Sequence, residues 1–197
     1  MRTTGTEHRN RGKAIQKETA SYYLAADPEE GSRAQILEAM NGLEQETGVK
    51  GIPPLLQIAS IRASEAMEDT LLRWLQRIFS QVPCFRVTLN NYAAFPGSFI
   101  YLRVQDQEPF RQLLNALKSI QPLVESGEAN AAEQVRYPHL PLTPALQKND
   151  FDRMLKACSQ LEFHSQFLIE KITLLQKDSS HGDFRQVAVL PLKPSHH

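Results

Sequence analysis

The order of elements legible in this 197-residue chain runs through once and then restarts, and that repetition leaves few folds open. In the first half, Tyr22 to Ala26 reads as a short strand ended by Asp27-Pro28. Ser32 stands where a helix cap is expected, ahead of Ile36, Met40 and Leu43 at helical spacing, and Gly48 and Gly51 close that segment. Pro54 to Ile61 is a second strand. Ser64 then opens a second helix, with Glu65, Glu68 and Asp69 favourable in its first turn and Met67, Leu71, Trp74, Leu75, Ile78 and Val82 as its buried stripe. Phe85–Asn90 and Phe99–Val104 form a hairpin around a Tyr92–Ser98 loop with turn chemistry at Pro96 and Gly97.

The second half repeats the scheme. Phe110, Leu113, Leu114, Leu117 and Ile120 mark a helix limited by Pro122, and Gly127 to Glu133 reads as a polar linker. A strand at Tyr137–Leu142 precedes a helix capped by Asn149 or Asp150, with Phe151, Met154, Leu155, Cys158 and Leu161 facing inward. Phe167–Leu175 and Phe184–Leu192 make a second hairpin around the polar 178–183 loop. Hairpins following helix-connected strands favour an α+β fold. The expectation is two pseudo-symmetric lobes, roughly 21–104 and 105–193, within one domain. Each is a mainly antiparallel sheet with helices on its outer face, and a cleft separates the central strands, where ligands often bind. Residues 1–20 carry Arg2, Arg9, Arg11, Lys13 and Lys17 among few large apolar residues and read as a disordered basic tail.

The richest stretch is Val135 to Leu146. Arg136, Tyr137 and His139 sit beside alternating Leu140 and Leu142, as in a strand with one wet face, while Pro138 and Pro141 place it at a sheet edge. A histidine there can serve as acid or base, since its unperturbed pKa is about 6.5. Formal net charge is zero, so a nucleic-acid ligand would need a local patch. The two cysteines, Cys84 and Cys158, read as reduced core residues. His164 and His181 lack partners at metal-ligand spacing, so neither a metal nor another cofactor is expected. Walker, dinucleotide and nucleophile-elbow signatures are missing from the sequence. No apolar run reaches the roughly 20 residues that span a bilayer, and no signal peptide is legible; a cytoplasmic monomer is expected.

With these fragments in view, the chain resembles the 2H phosphoesterase superfamily, which includes the 2'-5' RNA ligase-like and cyclic phosphodiesterase proteins. That family carries two motifs of the form His, apolar, Ser or Thr, apolar, one on each central strand. Tyr137-Pro138-His139-Leu140-Pro141-Leu142 resembles the second motif, and Pro53-Pro54-Leu55-Leu56-Gln57-Ile58 falls where the first belongs. The Phe95-Pro96-Gly97 turn followed by Phe99–Arg103 resembles the stretch between them. The departures are chemical. Leu55 stands for the first histidine, Gln57 for its hydroxyl partner and Pro141 for the second hydroxyl, so only His139 survives.

The resemblance implies two histidines flanking a phosphodiester, one as base and one as acid, each worth roughly 10²–10⁴-fold. Leucine moves no proton, Gln57 only hydrogen-bonds, and Pro141 donates nothing. The resemblance therefore points to a pseudoenzyme that binds a nucleotide, an RNA end or another small phosphorylated ligand. His139, Gln57, Arg136 and Arg103 are the candidate phosphate contacts, and Tyr101 and Tyr137 the candidate stacking surfaces. Ser60 and Thr143 are candidates for displaced hydroxyls. Two rivals stand beside this reading: an active phosphodiesterase or RNA ligase with a rebuilt site around His139, and a protein-interaction module without catalysis.

Overall fold

The computed structural model describes residues 19–120, 129–134, 138–177 and 184–194. The expected basic tail, the 178–183 loop, Arg136 and Tyr137 lie outside these residues, Thr19 and Ala20 of the tail range excepted.

Among the described residues, nine strands and four α-helices alternate along the chain. They are β1 (Thr19–Ala26), α1 (Glu30–Thr47), β2 (Leu56–Ser64), α2 (Glu68–Phe79), β3 (Phe85–Phe95), β4 (Phe99–Val104), α3 (Glu108–Leu117), β5 (Ala129–Gln134), β6 (His139–Pro141), α4 (Lys148–Cys158), β7 (His164–Ile169), β8 (Lys171–Lys177) and β9 (Phe184–Pro191). They build a five-stranded sheet, ordered β5-β2-β1-β8-β9, and a four-stranded sheet, ordered β6-β4-β3-β7. Every pairing in both sheets is antiparallel. Helices α2 and α3 pack against the five-stranded sheet, and α1 and α4 against the four-stranded one. The α+β class with two antiparallel sheets and outer helices is the one expected.

The sheets do not divide at the middle of the chain. The five-stranded sheet joins β1 and β2 to β5, β8 and β9, and the four-stranded sheet joins β3 and β4 to β6 and β7, so both cross the expected boundary near residues 104 and 105. The physical reason lies at Glu170. The apolar run Phe167–Leu175 is not one hairpin arm: β7 ends at Ile169 in one sheet and β8 begins at Lys171 in the other. An apolar run fixes strand character but not the partner. The 127–133 segment is also a strand for most of its length, because β5 completes the edge of β2 through pairs such as Ala59 with Gln134.

Local chemistry sets the ends of the elements. Helix α1 stops where Gly48 adopts φ 71° and returns its amide to the Glu44 carbonyl at 2.7 Å, a left-handed cap that glycine supplies without strain. Ser32 is not its cap; Glu29 holds that position. The Ser32 side chain is buried, and its hydroxyl donates to the Gln166 carbonyl at 3.0 Å, tying α1 to β7. Helix α4 starts after Gln147, not at Asn149 or Asp150, and Asp150 instead pairs with Arg153. The hairpin between β3 and β4 is tighter than expected. Tyr92–Phe95 continue the strand, and Ser98 donates to the Phe95 carbonyl at 2.9 Å across Gly97, whose φ is 69°. Trp74, placed in the buried stripe of α2, is only half-buried. It lines an open groove of about 680 Å³ between α2 and α3.

Candidate functional site

Strand alternation sorts each sheet into a face under helices and an uncovered face. In the four-stranded sheet, Val87, Leu89, Ile100, Leu102, Leu140 and Ser165 are buried under α1 and α4, so their neighbours in sequence point the other way. His139 pairs directly with Arg103, and Pro141 with Tyr101, so these four share the uncovered face. The three-residue length of β6 follows from its prolines, which interrupt the ladder on both sides.

The His139 imidazole sits among aromatic rings. Its centroid is 5.0 Å from that of Tyr101, with the planes tilted by 57°, and 5.5 Å from that of Phe99, stacked at 29°. Phe99 in turn stacks on Phe95 at 5.7 Å with an interplanar angle of 2°, and Phe95 is 59% exposed. Tyr101 therefore buttresses His139, while the open ring at this end belongs to Phe95, which sequence reading treated only as part of a turn.

On β2 a bulge shapes the other side. The register shifts between Leu24 and Ala25, so Gln57 opposes Ala25 while Ser60 opposes Tyr23. Gln57 and Ser60, three residues apart, thereby share one face, both half-buried, with the exposed Arg62 two residues on. Leu55 precedes the strand and is also half-buried. The two motif segments meet: β2 and β6 lie alongside one another, and the Ile52 amide donates to the Leu142 carbonyl at 2.9 Å. Gly51 belongs to this junction, since a β-carbon there would lie 3.1 Å from the Leu142 carbonyl oxygen.

Thr143 is buried, and its hydroxyl accepts from the Ile100 amide at 3.1 Å, which ties it to the backbone. The sequence expectation of a displaced phosphate-binding hydroxyl thus meets a structural role at this residue. Arg136 and Tyr137 fall outside the described residues.

Sequence reading dismissed His164, weighing it only as a metal ligand. It pairs with Asn90 at the start of β7 and is exposed on the same uncovered face as His139. Three strand spacings separate the two, about 14 Å, too far for both to act on one phosphorus atom. Its position was invisible in the sequence because only the sheet order puts β7 and β6 at opposite edges of one surface. Among the described residues no group of three or more His, Cys, Asp or Glu is placed to hold a metal, and no helix is long and apolar enough to cross a membrane.

Two antiparallel sheets with outer helices, joined where two matched strands meet and with a histidine on one of them, define a 2H phosphoesterase-type fold. The chain belongs to the 2'-5' RNA ligase superfamily, whose family model matches residues 43–181. No curated protein sequence matches it. Among solved structures it is similar to E. coli LigT complexed with 3'-AMP, at a TM-score of 0.67 and 18% identity, covering 89% of this chain and 99% of that one. E. coli LigT complexed with NADP+ gives 0.66 and 19%, with 89% and 99% covered. TT0787 of Thermus thermophilus gives 0.66 and 16%, with 89% and 100% covered. At such identities the likeness establishes the fold.

Proposed function

We propose that this chain binds a nucleotide or an RNA-end phosphate between the β2 and β6 strands and that the two-histidine catalysis of its superfamily is lost. The observation that carries the reading is the pair of opposed segments: His139 on one, and Leu55 and Gln57 on the other where a second imidazole would be needed. Acid–base cleavage of a phosphodiester needs a proton acceptor on one side of phosphorus and a donor on the other. Gln57 offers an amide N–H to a phosphate oxygen but cannot exchange a proton at neutral pH. His139, Gln57 and Arg103 are the proposed phosphate contacts, with the Phe99–Phe95 rings as a surface for a base. The nucleotides named in the LigT complexes, 3'-AMP, NADP+ and ATP, support a ligand of this class.

Calorimetric titration with 3'-AMP tests the binding, and turnover of 2',3'-cyclic AMP and of a 2'-5' linked dinucleotide tests the chemistry. Binding weakened at least about tenfold by His139→Ala, without turnover, is the expected result; one charge-assisted hydrogen bond is worth roughly 1.5–3 kcal/mol. Turnover by the native chain that disappears in His139→Ala would overturn the loss of catalysis.

A further inference from the structure

The five-stranded sheet has two sides of different character. Along β2, Leu56 and Ile58 are buried under the helices, while Gln57 and Ser60 lie on the uncovered side. The groove of about 680 Å³ between α2 and α3 is therefore on the far side of this sheet from Gln57. Each wall of the groove is the stripe beside a buried one. On α2, Leu71, Leu75 and Ile78 are buried, and Trp74, Arg77 and Gln81 follow at helical spacing along the groove. On α3, Leu113 and Leu117 are buried, and Asn115 and Ala116 turn to the groove. From Trp74 to Gln81, and from Gln112 to Ser119, each wall runs about 10 Å.

Backbone bonds hold the end of this trough in place. The Val82 carbonyl accepts the Lys193 amide at 2.8 Å, and the Cys84 amide donates to the Lys193 carbonyl at 2.9 Å, which clamps Pro83 between them. The apolar surface is aliphatic along most of its length, from Ile78 and Val82 to Pro83 and Ala116, with the half-buried Trp74 indole beside it. Such a trough is formed before a ligand arrives, and its volume is in the range of small-molecule clefts.

The charge around it has one sign. Residues 70–105, which include the α2 wall, contain no Asp or Glu. On α3, Glu108 lies in the first turn and pairs with Arg111. The one ionised side chain lining the groove is Arg77. Among the described residues neither its guanidinium nor the Trp74 indole N–H has a protein partner. One guanidinium matches one carboxylate in a bidentate pair, whereas a phosphate dianion would leave a charge unpaired over an apolar floor.

We propose that the α2–α3 groove binds a free carboxylate with an extended aliphatic body, of the medium-chain fatty acid class. Its head lies on Arg77 and its chain along Ile78, Val82, Pro83 and Ala116. The site is independent of the nucleotide reading, because the two stand on opposite sides of one sheet.

Trp74 is the single tryptophan of the chain, so its emission reports on the groove directly. The full chain is titrated with decanoate at neutral pH, below its micellar concentration, with decanol and phosphatidylglycerol vesicles as comparisons and calorimetry as a second readout. Decanoate should give a saturable blue shift and bind at least about tenfold more tightly than decanol, the share of one charge-assisted pair. Arg77→Gln should lose about tenfold for decanoate and leave decanol unchanged. Ala116→Phe, which fills the trough, should abolish both responses. In both variants the 3'-AMP affinity should stay within about twofold, as for a distant site. No saturable response to decanoate, equal affinity for decanol, or undiminished binding in Arg77→Gln overturns the proposal. A response to vesicles without one to free decanoate assigns the face to a membrane and overturns it too. Displacement of decanoate by 3'-AMP would put both ligands in one site, with the same consequence.

Discussion

Replacing Thr143 separates a structural hydroxyl from a ligand-binding one. Thr143 is 3% exposed, and its hydroxyl oxygen accepts the Ile100 amide at 3.1 Å, while the Ile100 carbonyl accepts the Leu142 amide at 2.9 Å. These two bonds extend the short β6 ladder onto β4 and hold the strand that carries His139. Thr143→Val keeps the shape and leaves the Ile100 N–H buried without a partner, which costs about 1–3 kcal/mol. For a chain of this size each kcal/mol lowers the melting temperature by about 2–4 °C, so the expected fall is between about 2 and 12 °C. Thr143→Ser keeps the acceptor and loses one buried methyl, about 1 kcal/mol, so it should lie nearer the native protein. Calorimetric melting of the three proteins, with 3'-AMP titration of each at about 20 °C, well below the melting range of such domains, reads both quantities. The reasoning is refuted if Thr143→Val melts with the native chain and yet loses nucleotide affinity, because the hydroxyl would then serve the ligand.

Other perturbations bear on the same architecture. Gly51→Ala puts a methyl against the Met40 ε-carbon, which can swing away, and 3.1 Å from the Leu142 oxygen, which cannot; a loss of about 1–2 kcal/mol in urea unfolding is expected, and a neutral result would mean the β2 and β6 segments are not held together. Ser32→Ala should cost about 1 kcal/mol in the same assay through the lost tie to the Gln166 carbonyl, although no cap is removed. Alkali should destabilise the fold. Burial pushes the Cys158 thiol up to about 11, and burial followed by the Glu68 hydrogen bond raises the Tyr22 phenol. Groups raised on folding stabilise fully below their unfolded pKa, about 8.5 for Cys and 10 for Tyr, and lose that contribution as pH climbs through the folded value. Stability measured by urea should therefore fall above about pH 9, less steeply in Cys158→Ala, and an unchanged slope in that variant would count against the thiol's part.

The sequence alone determined which side chains stand at the motif positions. Leu55, Gln57 and Pro141 can be read off as residues that neither take nor give protons, and no fold changes that. It also determined the class of the fold, because local periodicity marks helices and strands wherever an apolar stripe or alternation runs long enough. Which strand pairs with which was decided only in three dimensions. The run from Phe167 to Leu175 is uniform in character, and its division at Glu170 between two sheets depends on partners supplied by β3 and β1 from the far half of the chain. The same long-range pairing carries Ser32 inside as a tether rather than a cap. It gives the polar β5 segment its strand character beside β2, and it sets His164 on the surface of His139 with 24 residues between them in sequence. A side chain's chemistry is local, whereas its neighbours are chosen by contacts distant along the chain, and pattern reading along one strand has no access to those.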